Sequence, residues 1–133
     1  MQKNTFTKEE RLCSRQLIDS LFTGEGVKKI SDFPLLLIYR EVTPETSEVP
    51  VQVMFSVSKR KIKLAVKRNL LKRRLRESYR KHKHKLIDTI TVNNKHVLVS
   101  IIYLEKKPLP YNIIEKKIIV LLNRLKNECE EVI

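Results

Sequence analysis

Tryptophan is absent from this chain and glycine nearly so, with two glycines among 133 residues. Aromatic residues make up only 6% of the sequence. So sparse a set excludes a surface built on many stacking aromatics, the device of sheet-based readers of single-stranded RNA. Two cysteines, Cys13 and Cys129, lie far apart with no CxxC pairing. They read as reduced bystander thiols rather than a disulfide framework or a metal site. No apolar run approaches the ~20 residues of a membrane span. The start, MQKNTFTKEERL, has no apolar signal core. A cytoplasmic protein without a membrane contact is expected. The P-loop, GxGxxG, HExxH and GxSxG patterns are all missing. His82 and His84 are two residues apart, so they would not share a helix face, and no carboxylate stands at ligand spacing. His96 heads a strand and reads as structural. The acids that cluster fall at exposed-looking ends, Glu9–Glu10 and Glu128–Glu130–Glu131, and paired carboxylates for acid–base work are not evident. No catalytic residue and no metal ligand is nominated; the visible chemistry is electrostatic binding.

What is present is a block of charge. The chain has 28 Lys and Arg against 15 Asp and Glu, a net charge of +13. Lys59 to Lys85 holds fourteen of those cations and one acid, Glu77, so the remainder of the chain is neutral. A localised block of this kind calls for a polyanionic partner. It is also periodic. From about Leu64 it lacks Gly and Pro and reads as a helix. At the 3.6-residue period, Leu64, Leu71, Leu75 and Ser78 fall on one stripe suited to a core. Asn69, Lys72, Arg73, Arg76 and Arg80 fall on another face, with Arg68 between. Such a row can meet several phosphates from one rigid element. The bland alternative is a solvated Lys/Arg face, but a solvated face normally mixes signs. Lys59, Arg60 and Lys61 add charge just before the helix.

The other segments predict one α+β domain spanning residues 1–133, with 1–8 as a loose polar arm. Lys8 to Phe22 reads as a helix, with Thr7 as N-cap and Glu10 completing a capping box. Leu35 to Val42 reads as a strand after Pro34, and Thr43 to Glu48 as a loop. Val49, Val51, Val53, Phe55 and Val57 alternate with Pro50, Gln52, Met54 and Ser56, a period-two strand. His96 to Leu104 has the β-branched density of a buried strand. A last helix starts at Tyr111 or Asn112 and runs on Ile113, Ile114, Ile118, Leu121, Leu122 and Leu125. The order is helix, strand, strand, helix, strand, helix, with the first strand region open to division in two. That division would give a central four-stranded sheet in α-β-β-β-α-β-α order, an α/β sandwich.

The stretch FSVSKRKIKLAVKRNLLKRRLRESYR resembles the signature of the bacterial ribonuclease P protein subunit family. That signature is a strand ending in Ser-Val-x-Lys-Lys/Arg and a short basic connection. A helix with Ala-Val-x-Arg-Asn-Arg-x-Lys-Arg-x-x-Arg-Glu follows. Ser56, Val57, Lys59, Arg60, Ala65, Val66, Arg68, Asn69, Lys72, Arg73, Arg76 and Glu77 match it. Arg11, Leu12 and Phe22 repeat the family's N-terminal spacing, and the resemblance covers about Leu12 to Leu125. Two departures stand out. The family's Arg-Asn-Arg triplet reads Arg68–Asn69–Leu70, so one phosphate partner is missing or is supplied by Arg74. The connection after Lys59 lacks the Gly that many members carry.

The resemblance implies a left-handed βαβ crossover and a protein that binds the catalytic RNA of ribonuclease P. It implies an endonuclease that removes the 5′ leader of precursor tRNA, with Mg²⁺ held mainly by RNA and hydrolysis performed by RNA. RNA-binding residues carried over are Lys59, Arg60, Lys61, Arg68, Asn69, Lys72, Arg73, Arg76 and Arg80. A cleft for the single-stranded leader would take Ile18 and Phe22 from the first helix. From the strand it would take Leu36 and Ile38, with Leu35 and Leu37 as the alternative phasing. A structural RNA-binding protein of ribosomal type is the rival reading. A DNA-binding domain is disfavoured because a strand, not a helix, precedes the basic helix.

Overall fold

The chain folds, in a computed structural model that describes residues 6–45 and 49–130, around one mixed four-stranded sheet. Its elements are a 3-10 turn at Lys8–Glu10, then α1 (Arg15–Thr23), β1 (Lys28–Asp32), β2 (Leu35–Val42) and β3 (Val51–Val57). α2 (Ala65–His82), α3 (His84–Val92), β4 (His96–Tyr103) and α4 (Tyr111–Cys129) complete it. The strand order is β1-β2-β4-β3, with β1/β2 and β2/β4 antiparallel and β3/β4 parallel. β3 and β4 are joined through α2 and α3, the βαβ unit that the resemblance implies. No helix among the described residues is long and apolar enough to cross a membrane.

Alternation decides which side of each strand is buried. Leu35, Leu37 and Tyr39 of β2, Val51, Val53 and Val57 of β3, and Val97, Val99, Ile101 and Tyr103 of β4 face one layer. There they meet Leu71, Leu75 and Tyr79 of α2, Leu86 and Ile90 of α3, and the apolar stripe of α4. Leu36 and Ile38 of β2 and Leu98 and Ile102 of β4 face the other layer, where Leu21, Leu17 and Ile18 of α1 cover them.

Several expectations need correction. The helix expected over Lys8–Phe22 is two pieces, and Thr7 makes no side-chain cap. Leu12 N–H donates to Val53 O at 3.0 Å and Arg11 bridges to Val53, so this segment is an extended strap along β3. The helix starts only at Arg15, capped by Ser14, whose hydroxyl accepts from Leu17 N–H at 3.4 Å. The fourth strand is not a division of the Leu35 region but KKISD, Lys28–Asp32, with Ile30 as its one buried side chain. The stretch after α2 is a helix in its own right, α3, and Asn94 just beyond its C-cap Asn93 takes the left-handed region (φ 54°). Of the arm expected over 1–8, residues 1–5 lie outside the described residues. Phe6 is half-buried and stacks edge-on against Phe55 and Tyr79 at 5.9 and 5.7 Å. Residues 46–48 of the expected loop, and Glu131 of the acidic end, also lie outside the described residues.

Polar contacts fix the helices to one another. Tyr103 O–H donates to Lys107 O and accepts from Leu109 N–H, which ties down the turn before α4. Arg74 holds Leu109 O from α2. His82 on α2 meets Glu115 on α4 at 3.1 Å, and Tyr111 O–H donates to the same carboxylate at 3.1 Å. The Glu115 carboxyl is held below its ordinary range, first by the bond from His82. The Tyr111 phenol is pushed up to about 12, first by burial and then by Glu115. At the α2–α3 corner Lys83 is 2% exposed, and its ammonium meets Glu10 at 2.6 Å. An ammonium leaves water only where a carboxylate replaces its hydration.

These pairs can be tested by unfolding. Lys83→Ala strands Glu10 near the core and should cost roughly 3 kcal/mol in urea unfolding, and a loss below ~1 kcal/mol would contradict the pairing. A carboxyl depressed in the folded state contributes stability that is complete above the ordinary carboxyl range and is lost as pH falls through the depressed value. Urea midpoints of Glu115→Gln should therefore fall less steeply than wild type between about pH 5 and pH 3; parallel curves would refute the Glu115 assignment.

Candidate RNA-binding surfaces

α2 forms because Ala65–His82 contains no helix breaker, and it docks through Leu71, Leu75, Ser78 and Tyr79. Leu64, expected on that stripe, is instead the residue preceding the helix and is 60% exposed. Tyr79, at the far end of the helix, joins the buried stripe instead. With the docking stripe fixed, the helical period sends Asn69, Lys72, Arg73 and Arg76 to the outer side. Asn69 and Arg73 are exposed, while Lys72 and Arg76 are half-buried. Lys72, Arg73 and Arg76 make no ion pair among the described residues. The Arg76 Nε is buried without a hydrogen-bond partner there.

Three of the remaining nominated cations, Arg80, Arg68 and Lys61, do other work. Arg80 is paired with Glu77, its Nε 3.1 Å from the carboxylate. The pairing raises the Arg80 pKa and lowers that of Glu77. Arg68 turns back on the loop and donates to Ile62 O and Lys63 O, both at 2.8 Å. Its guanidinium thereby satisfies carbonyls that the loop 58–64 would otherwise leave open. Lys61 donates to Leu104 O at 2.7 Å, pinning the same loop to the end of β4. Lys59 and Arg60 point outward and are exposed. Arg74 spends one N–H on Leu109 O and lines the same opening as Arg73 and Arg76. The structure thus gathers Lys59, Arg60, Asn69, Lys72, Arg73 and Arg76 as open groups. It sets Lys61, Arg68 and Arg80 apart as braced ones.

The nominated cleft lies on the opposite layer. Leu36 and Ile38 do face α1, whereas Leu35 and Leu37 are wholly buried on the core side. Ile38 is 5% exposed and sits beneath α1 as a floor residue. Ile18 and Leu36 are half-buried and Phe22 is 48% exposed. α1 packs on β2 and β4. Met54 and Ile102 remain half-buried on that face. Neither was expected at the site, although the period-two pattern of β3 puts Met54 on the mixed side. The register aligns Leu36 with Ile102, and Ile102 with Ser56. This row crosses the sheet at the end where β3 runs into the loop carrying Lys59 and Arg60. Ser100 Oγ is fully buried in the neighbouring row, between Ile38 and Met54, without a partner among the described residues. A shallow apolar floor beside exposed cations suits a single strand, with bases on the floor and phosphates at the rim.

Among the described residues no group of three or more His, Cys, Asp or Glu is placed to hold a metal ion.

Comparison with known proteins agrees with the fold and with the motif. A family model described as ribonuclease P matches residues 6–126. A ribonuclease P protein component from Chlorobium phaeobacteroides is 34% identical over 108 residues, 76% of this chain and 73% of that protein. One from Porphyromonas gingivalis is 40% identical over 84 residues, 63% of this chain, and the match spans only 59% of that relative's length. The solved structure of the Staphylococcus aureus RNase P protein superposes with a TM-score of 0.66 at 16% identity. It covers 89% of this chain and 98% of that one, a likeness of fold. The match over nearly the whole chain, and the basic helix lying where the motif requires it, place this chain in the ribonuclease P protein family.

Proposed function

We propose that this chain is the protein subunit of a ribonuclease P, which removes the 5′ leader of precursor tRNA. The observation that carries the reading is the outward row Lys72, Arg73 and Arg76 on one rigid helix. The row is unpaired among the described residues, in a chain that matches the family over residues 6–126. In this reading the row, with Asn69 and with Lys59 and Arg60 of the loop, contacts phosphates of the catalytic RNA. The face of Ile18, Phe22, Leu36, Met54 and Ile102 receives the single-stranded leader. Hydrolysis belongs to the RNA, with Mg²⁺ held mainly by RNA and substrate. The chain contributes affinity for the leader and for the folded RNA, and a cytoplasmic location goes with that substrate. The braced residues Arg68, Lys61 and Arg80 act through shape, by setting where the loop and the row point.

Reconstitution tests the whole reading. The protein added to ribonuclease P RNA at near-physiological Mg²⁺ should yield mature tRNA 5′ ends, and the protein alone should cut nothing. No stimulation by the protein would reject the proposal. Within it, Lys72→Ala/Arg73→Ala/Arg76→Ala should lower the salt slope of RNA binding by roughly 0.7–0.9 for each phosphate that is no longer neutralised. An unchanged slope would remove the row from the interface. Phe22→Ala should weaken binding of precursor tRNA and leave leaderless tRNA unaffected. Equal effects on both would count against the cleft.

A further inference from the structure

The end of the basic block, Lys81 to Lys85, belongs to neither the row nor the cleft. Apart from Lys83, it lines a cavity of about 250 Å³ where the end of α2, the start of α3 and the second half of α4 meet. Lys81, Lys85 and Lys126 form its wall, and Asn123 adds an amide. His82 and His84 complete the polar side; Leu86 and Leu122 make an apolar floor. Among the described residues no carboxylate lines it. Glu115 and Glu130 pair with His82 at 3.1 Å and with Lys126 at 3.5 Å without entering the lining.

Part of the wall is held in advance. Glu115 fixes the imidazole of His82. The Lys81 ammonium lies at the border, 5.5 Å from the ring centroid of Tyr111, which lines the neighbouring opening with Arg73 and Arg76. Asn123 and Lys126 stand one turn apart on α4, so both reach the same opening. A concave surface carrying one sign of charge over low-dielectric walls concentrates its field on an anion. The ammonium groups suit phosphate oxygens, while the floor of Leu86 and Leu122 suits the carbon face of a ribose. A small inorganic anion would use only the first of these features.

We infer that this cavity is a second phosphate site, which takes a backbone phosphate of RNA away from the α2 row. The inference rests on the proposed function, since the RNA in question is the catalytic one. It gives the tail of the block a role separate from that of Lys72, Arg73 and Arg76. Two anchors on different sides of α2 would fix the protein's rotation on the RNA, which a single row leaves free.

The test uses the full chain in two variants, Lys81→Ala/Lys85→Ala and Asn123→Asp. The second adds a carboxylate to the opening and removes no lysine. Thermal melts matching wild type establish that each is folded, and the second variant carries the test should the first fail to fold. Binding to ribonuclease P RNA is measured across salt concentrations. In parallel, inorganic phosphate is titrated into labelled protein while the amide resonances of Lys85, Leu86 and Asn123 are followed. Each variant should lower the salt slope by about one, independently of the α2 row variant. Wild-type slopes in the folded pocket variants, with a reduced slope in the row variant, overturn the second site and leave the proposed function standing. Unchanged binding in both sets overturns the function reading and this site with it. Amide shifts with inorganic phosphate but no change in RNA slope identify a small-anion site and overturn the RNA assignment.

Discussion

The seating of α2 is the constraint on which the rest depends. Leu71, Leu75 and Tyr79 are fully buried between β3 and α4. They are the large apolar side chains that this helix buries, whereas Val66 is 79% exposed. Burial of each such side chain contributes roughly 1.5–3 kcal/mol, so a turn of one residue about the helix axis would both lose that and push Lys72 or Arg76 toward the core. The cations do not choose their direction. They face outward because the stripe of Leu71, Leu75 and Tyr79 faces in. Arg74 on one flank, holding Leu109 O, and His82 on the other, meeting Glu115, fasten the same rotation.

Net charge alone does not say what each cation does. Three groups emerge once side chains are placed. Lys83 is buried with Glu10 and joins the α2–α3 corner to the N-terminal strap. Arg68, Arg74 and Lys61 spend their donors on backbone carbonyls and shape the loop before α2 and the turn before α4. Lys59, Arg60 and Arg73 are exposed, Lys72 and Arg76 are half-buried without an ion pair among the described residues, and Arg80 stands beside them with Glu77 attached. Substituting a member of the second group disturbs geometry before it disturbs charge. A motif read only as a string of cations would assign all of them to RNA.

Much of this was legible in the chain. The period-two alternation of Val51 to Val57 marked a strand with the right side inward, and the spacing of Leu71, Leu75 and Ser78 set the phase of α2. The favoured phasing of β2, Leu36 with Ile38, picked the side that meets α1. Other features left no local signal. KKISD buries one residue, Ile30, and becomes a strand only because β2 offers an edge. The capping box at Thr7 and Glu10 is genuine in pattern but idle. The Leu12 N–H goes to Val53 across the sheet, and Glu10 turns to Lys83, 73 positions along the chain. Leu64 fitted the apolar stripe by period but precedes the helix, so it never reaches the core. The Glu77–Arg80 pair, at i,i+3, was readable from spacing and marks the one member of the nominated row that the helix itself neutralises.

Lysine acetylation of the protein, with and without ribonuclease P RNA, tests the position of the RNA-facing side most directly. The account predicts that RNA slows modification of Lys59 and Lys72 while Lys28, Lys29 and Lys116, exposed on β1 and α4, react as before. Protection at Lys28, Lys29 and Lys116, with Lys59 and Lys72 as reactive as in the free protein, would contradict it.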